Sequence, residues 1–97
     1  MKRGTEEFLP LSDEAVRAIA GPRSRHAALV EDAFKVLIET PGGGVRLRGD
    51  GGGRAGAKRA LAALTARADA GVDVVESDVR AAISAAKVGD TAPGGGP

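Results

Sequence analysis

The chain has 97 residues, with 14 Lys and Arg against 13 Asp and Glu, for a formal net charge of +1. It contains no cysteine, one histidine (His26) and two aromatic residues, Phe8 and Phe34. Disulfides, thiol catalysis and cysteine-based zinc sites are therefore excluded, and His26 alone cannot build a metal site. The length suits one domain, with a thin core built from Leu, Val, Ile and Ala and both phenylalanines expected inside it. No apolar run approaches the roughly 18 residues of a membrane span. The charged start "MKRGTEEF" lacks a signal-peptide hydrophobic stretch, so a cytoplasmic protein with no membrane partner is expected. Charge is uneven: residues 21–59 carry eight basic and four acidic side chains, which makes the middle of the chain the part that would attract an anion.

In chain order, "EEFLPL" (residues 6–11) reads as a short strand, placed at a sheet edge or ended there by Pro10, which lacks a backbone donor. Ser12 caps a helix whose first turn holds Asp13 and Glu14. Its apolar stripe is Val16, Ile19 and Ala20, and Gly21-Pro22 stops it. A second helix restarts near Arg23 or Ser24, with Ala27, Val30, Ala33 and Phe34 on one face and Leu29 beside them. "KVLIET" (residues 35–40) is a second strand, "PGGG" a turn, and "VRLRG" (residues 45–49) a third strand, so that strands two and three form a hairpin. Val45 and Leu47 point to the core, while Arg46 and Arg48 keep the open face soluble. A third helix runs from about Arg54 to Ala70 with Ala57, Ala60, Leu61, Leu64 and Ala68 inward, and Gly71 ends it. Lys58 and Arg59 read as surface charges on it. "VDVV" is an extended link, Ser77 caps a last helix with Val79, Ala82, Ile83 and Ala86 inward, and "GDTAPGGGP" is a tail. The expectation is an α+β domain over residues 5–88, of order β-α-α-β-β-α plus one helix, with helices on one face of a three-stranded sheet. Residues 1–4 and 89–97 are expected to be flexible.

"GDGGGRAGAK" after the third strand spells G-x-G-x-x-G through Gly51, Gly53 and Gly56, and nearly spells a P-loop. The strand before it carries arginines at alternate positions. The first strand of a dinucleotide-binding unit is instead buried on both faces and needs parallel partners that this chain is too short to supply. In the P-loop alignment Lys58 comes one residue late, and Arg59 stands where Ser or Thr would hold magnesium. Gly49 to Gly53 are therefore read as a permissive turn, and "RGD" at 48–50 as spelling alone. With no cofactor motif and no constellation of nucleophile, base and acid, the expected chain is not an enzyme.

The stretch "IAGPRSRHAALVEDAFKVLIET" (residues 19–40) resembles the core of a KH domain, in which a G-x-x-G loop between the first two helices clamps a nucleic-acid backbone. Here the loop reads Gly21-Pro22-Arg23-Ser24, with Ser in place of the last Gly. "LVEDAFKVLI", "GVRLRGD", "ALTARADAG" and "SDVRAAI" are similar, in order and spacing, to the KH-like domain at the N-terminus of PhoH-type (phosphate-starvation-inducible) ATPases, over residues 7–86. Lys35 stands where that family ends the second helix with Gly. No Walker A or Walker B sequence follows, so the resemblance implies the RNA-binding module of a bacterial protein without its ATPase.

What the resemblance implies is weak binding of single-stranded RNA, or of single-stranded DNA. Gly21, Arg23, Ser24 and Arg25 would meet phosphates, helped by the second helix's first amides. Ala27, Ala28, Val30 and, from the second strand, Ile38 or its neighbour Leu37 would line a groove for the bases. His26 is expected at the surface, where it would stack on a base or touch a phosphate. Three or four phosphate contacts would give a salt slope of about −2 to −3. The alternative is a protein-docking module that acts as adaptor for a separate PhoH-type ATPase. Docking through an apolar face would be salt-tolerant, whereas phosphate contacts would not.

Overall fold

The computed structural model describes residues 5–95, with side chains to residue 88. It is an α+β domain in which four helices accompany a three-stranded antiparallel sheet. The elements are β1 (Glu6–Pro10), α1 (Asp13–Ala20), a single 3-10 turn (Pro22–Ser24), α2 (Arg25–Phe34), β2 (Leu37–Glu39), β3 (Gly44–Arg48), α3 (Gly51–Asp69) and α4 (Glu76–Gly95). The expected order β-α-α-β-β-α with an added helix is present. Residues 1–4 and 96–97 of the expected flexible ends lie outside the described residues, while 89–95 continue α4 as helix.

The sheet order is β1-β3-β2, with Leu9 opposite Val45, Glu7 opposite Leu47, and Ile38 opposite Leu47 from the other side. β1 is thus an edge strand, and Pro10 stands at its last position as its missing donor requires. Side chains alternate across the sheet. Val45, Leu47 and Ile38 face the helices and are buried. Glu6, Phe8, Leu37, Glu39, Arg46 and Arg48 share the open face. There Arg46 and Arg48 each contact both Glu6 and Glu39 at 3.3–3.9 Å, on the open face where the alternation of β3 places them. Phe8 also lies on this face and is 44% exposed rather than in the core, because its place in the register sets it opposite Arg46. No helix among the described residues is long and apolar enough to cross a membrane.

The core holds most of the residues read from the apolar stripes, although Val16, Ala20, Ala33 and Ala68 are only partly buried and Ala15 and Val36, outside those stripes, are buried. Ile19, Val30, Val45, Leu47, Leu61, Leu64 and Val79 are its largest fully buried side chains, and Phe34 packs partly buried against it. α1 begins as expected at Ser12, whose oxygen accepts from the Ala15 amide at 3.1 Å while its hydroxyl donates to Asp69 at the end of α3. α3 ends at Gly71, whose positive φ allows the amides of Gly71 and Val72 to turn back to the carbonyls of Ala68 and Arg67.

Three element starts differ most from the sequence reading, each for a local reason. α4 starts before Ser77, which is not its cap; the Asp78 carboxylate instead reaches back to the Val75 amide at 2.9 Å. β2 is three residues long because Lys35 is spent ending α2. Its backbone sits in the left-handed region (φ 57°, ψ 47°), and the Val36 amide turns back to the Glu31 carbonyl. α3 starts at Gly51 rather than Arg54, because the Asp50 carboxylate accepts from the Gly53 amide at 2.7 Å and caps the helix there.

The glycine cluster is therefore mostly helix. A Cβ at Gly53 would stand 2.5 Å from the Phe34 carbonyl oxygen, and one at Gly56 2.6 Å from two carbons of the Phe34 ring. Gly51 and Gly52 have nothing nearer than 3.8 Å. Gly53→Ala and Gly56→Ala should each lower the unfolding free energy by about 1–3 kcal/mol through overpacking. Gly51→Ala and Gly52→Ala should raise it by roughly 0.5–1 kcal/mol through chain entropy. Urea denaturation of the four variants checks the split. Lys35→Gly should also stabilise, by about 1 kcal/mol, because it removes a left-handed non-glycine residue; the same titration reads it.

Candidate nucleic-acid interface

α1 closes at Gly21 (φ 69°), whose amide bonds the Arg17 carbonyl at 2.9 Å. The chain then passes through Pro22 into Arg23 (φ 55°, ψ 31°) and Ser24 (φ 60°, ψ 24°), both left-handed, before α2 begins. Two consecutive non-glycine residues in this region cost on the order of 1 kcal/mol or more each, so their surroundings must impose the shape. His26 fixes the end of α1 from which this turn departs. The residue is 4% exposed and its ring lies beneath Gly21, where any Cβ would run into it. Its Nδ1 is 2.9 Å from the Ala18 carbonyl in the last turn of α1, an arrangement that places the proton on Nδ1. His26 is thus a buried brace between α1 and α2. The surface residue expected from its place in the first helical turn is not found, since that turn faces α1.

The other expected residues divide into two groups. Gly21, Arg23, Ser24 and Arg25 are together at one corner, the last three exposed. Ala27 (8% exposed), Val30 (0%) and Ile38 (9%) are core side chains, because the apolar stripe of α2 packs against α1, α3 and α4 rather than lining a groove. An open groove of about 930 Å³ does lie beside the loop. Pro22, Arg23 and Arg25 form one end of its lining; Ala28, Leu29 and Val36 supply apolar surface; Glu31 and Asp32 add two carboxylates. Glu31 accepts the Ile38 amide at 2.7 Å. Ala28 and Leu29 lie one position off the buried stripe, and that offset was the signal in the sequence for the groove wall.

The two arginines differ. Arg23 makes no ion pair among the described residues. Arg25 is bonded through Nε and Nη2 to the two carboxylate oxygens of Glu76, at 2.7 and 3.3 Å. Glu76, at the start of α4, also takes Nε and Nη2 of Arg80 at 3.0 and 2.8 Å. Hydrogen bonds from Arg25 and then Arg80 draw the Glu76 carboxyl down to about 2, and Glu76 in turn raises Arg25. Lys58 and Arg59, read as plain surface charges, have defined partners: Lys58 pairs with Glu7 at 2.9 Å, and Arg59 Nε donates to the Ala86 carbonyl at 3.2 Å. Glu7 also pairs with Arg54, and its carboxyl is lowered, first by the Lys58 hydrogen bond.

A second concavity, of about 450 Å³, carries no motif in the sequence. It lies between the end of β1 and α3, lined by Leu9, Pro10, Leu11, Leu61, Ala62 and Ala66, with Lys58 and Thr65 among them. The Thr65 hydroxyl oxygen is buried there without a hydrogen-bond partner among the described residues. No family model, curated protein or solved structure matches the chain.

The two depressed carboxyls fix the sign of the acid response. Both lie below the ordinary 4.5, so their stabilisation is fully present above that pH and is lost as pH falls, toward about 2 for Glu76. Thermal unfolding followed by circular dichroism should show a midpoint that falls once the pH drops below 4.5, and Glu76→Gln should flatten part of that fall.

Proposed function

We propose that the chain is a small KH-like module that binds single-stranded nucleic acid, RNA in the first instance, through the loop at residues 21–25 and the groove beside it. The observation that carries this reading is the juxtaposition of Arg23, exposed on a braced left-handed turn, with an open groove that has an apolar wall. The element order β-α-α-β-β-α fits it. α2 also begins without a side-chain cap or an acidic first turn, which leaves its positive end favourable to a phosphate.

In this reading Arg23, Ser24 and the first amides of α2 meet the backbone, and Ala28, Leu29 and Val36 pack against bases. Glu31 and Asp32 repel phosphates, so a strand lies with its backbone toward the loop. No aromatic side chain lines the groove, and base stacking on aromatics, worth about 1–3 kcal/mol per base, is absent. Affinity is then micromolar or weaker.

A second reading, a protein-docking adaptor for a separate PhoH-type ATPase, draws on the apolar cleft between β1 and α3 and on Phe8 and Leu37, exposed on the open sheet face. Fluorescence anisotropy of a labelled single-stranded RNA separates the two. Under the nucleic-acid reading, binding weakens with salt at a slope of about −0.7 per neutralised phosphate and is lost in Arg23→Glu/Arg25→Glu. Absence of binding at low salt overturns it.

A further inference from the structure

Arg25 and Glu76 are joined through two N–H···O bonds to two oxygens of one carboxylate. This is the fork-to-fork arrangement that a guanidinium also makes with two oxygens of a phosphate. The pair is reachable by solvent, its side chains being 57% and 38% exposed, so a competing anion can approach. Glu76 has a second holder, Arg80, one helical turn away on α4, which gives it two further bonds. If Arg25 turns to another anion, the carboxylate therefore stays paired.

We propose that Glu76 holds the Arg25 guanidinium in the place of a backbone phosphate, and that a bound strand takes Arg25 by exchange while Arg80 retains Glu76. The inference rests on the nucleic-acid reading of the loop and assigns that site an internal competitor. Arg23, with no ion pair among the described residues, is the standing phosphate contact, and Arg25 is a conditional one. Exchange is inexpensive because an exposed ion pair contributes little net stability. Glu76 would thus set the affinity of the loop without touching the ligand.

The test is anisotropy of a short labelled RNA of randomised sequence with the wild type, Glu76→Gln, Arg25→Gln and the double variant, with thermal melts confirming that each folds. The expected result is roughly two- to five-fold tighter binding by Glu76→Gln, with the double variant no tighter than Arg25→Gln. Binding by Glu76→Gln at wild-type affinity overturns the competitor role alone. Tightening that persists without Arg25 also overturns it, since the effect would then be a general one of net charge. Failure of both the wild type and Glu76→Gln to bind at low salt overturns the nucleic-acid reading and the competitor role together.

Discussion

The contact on which the arrangement depends is the seat of Phe34 and Val36 on the glycine face of α3. Gly53 admits the Phe34 carbonyl and the Val36 side chain, Gly56 admits the Phe34 ring, and Gly49 comes close to Val36 as well. A chain with almost no aromatic residues cannot fill a wide gap between layers, so it brings backbone against backbone. Close packing is what gives a small aliphatic core its dispersion energy. The end of α2, the left-handed Lys35 and the start of β2 are all placed by this seat. The groove beside α2 takes its form from the same place, since Val36 lines it.

Charge is arranged in closed groups. Glu6, Glu39, Arg46 and Arg48 form one on the open sheet face. Glu7 with Arg54 and Lys58 ties β1 to α3, Arg25 and Arg80 share Glu76, and Arg67 faces Asp78. The excess of basic residues in the middle of the chain is thus largely neutralised by acids from both ends. A count of charges along the sequence overstates the field that a ligand would meet, because it does not see the return of residues 6, 7 and 76 to that region.

Much of the fold was legible because its signals are local. Alternation in β3, the stripes of α1 to α4, Ser12 as a cap and Gly71 as a stop each depend on neighbours in sequence. The glycine cluster, a turn by its sequence and helix in the structure, differs for the opposite reason. Glycine after a strand signals a turn, and only the approach of Phe34 from another element gives Gly53 and Gly56 their meaning. The site shows the same divide. The loop at 21–25 could be located from Gly21-Pro22 between two helices. The burial of His26 depends on the angle between α1 and α2, and the commitment of Arg25 depends on a residue 51 positions away. Ala27, Val30 and Ile38 had the right polarity for either core or groove, and periodicity could not decide which.

The bond from the Ile38 amide to Glu31 has a consequence for the sheet as a whole. β2 is an edge strand of three residues, and a strand edge invites the addition of another chain through its unused amides. On this edge the central amide is already closed by a carboxylate at 2.7 Å. A strand from another molecule would have to displace that carboxylate and leave it beside its own backbone carbonyls. At the far edge of the sheet, Pro10 removes a donor by its covalent structure. The two edges resist fibrous growth by different means, one electrostatic and one covalent, and a substitution that neutralised Glu31 would weaken only the first.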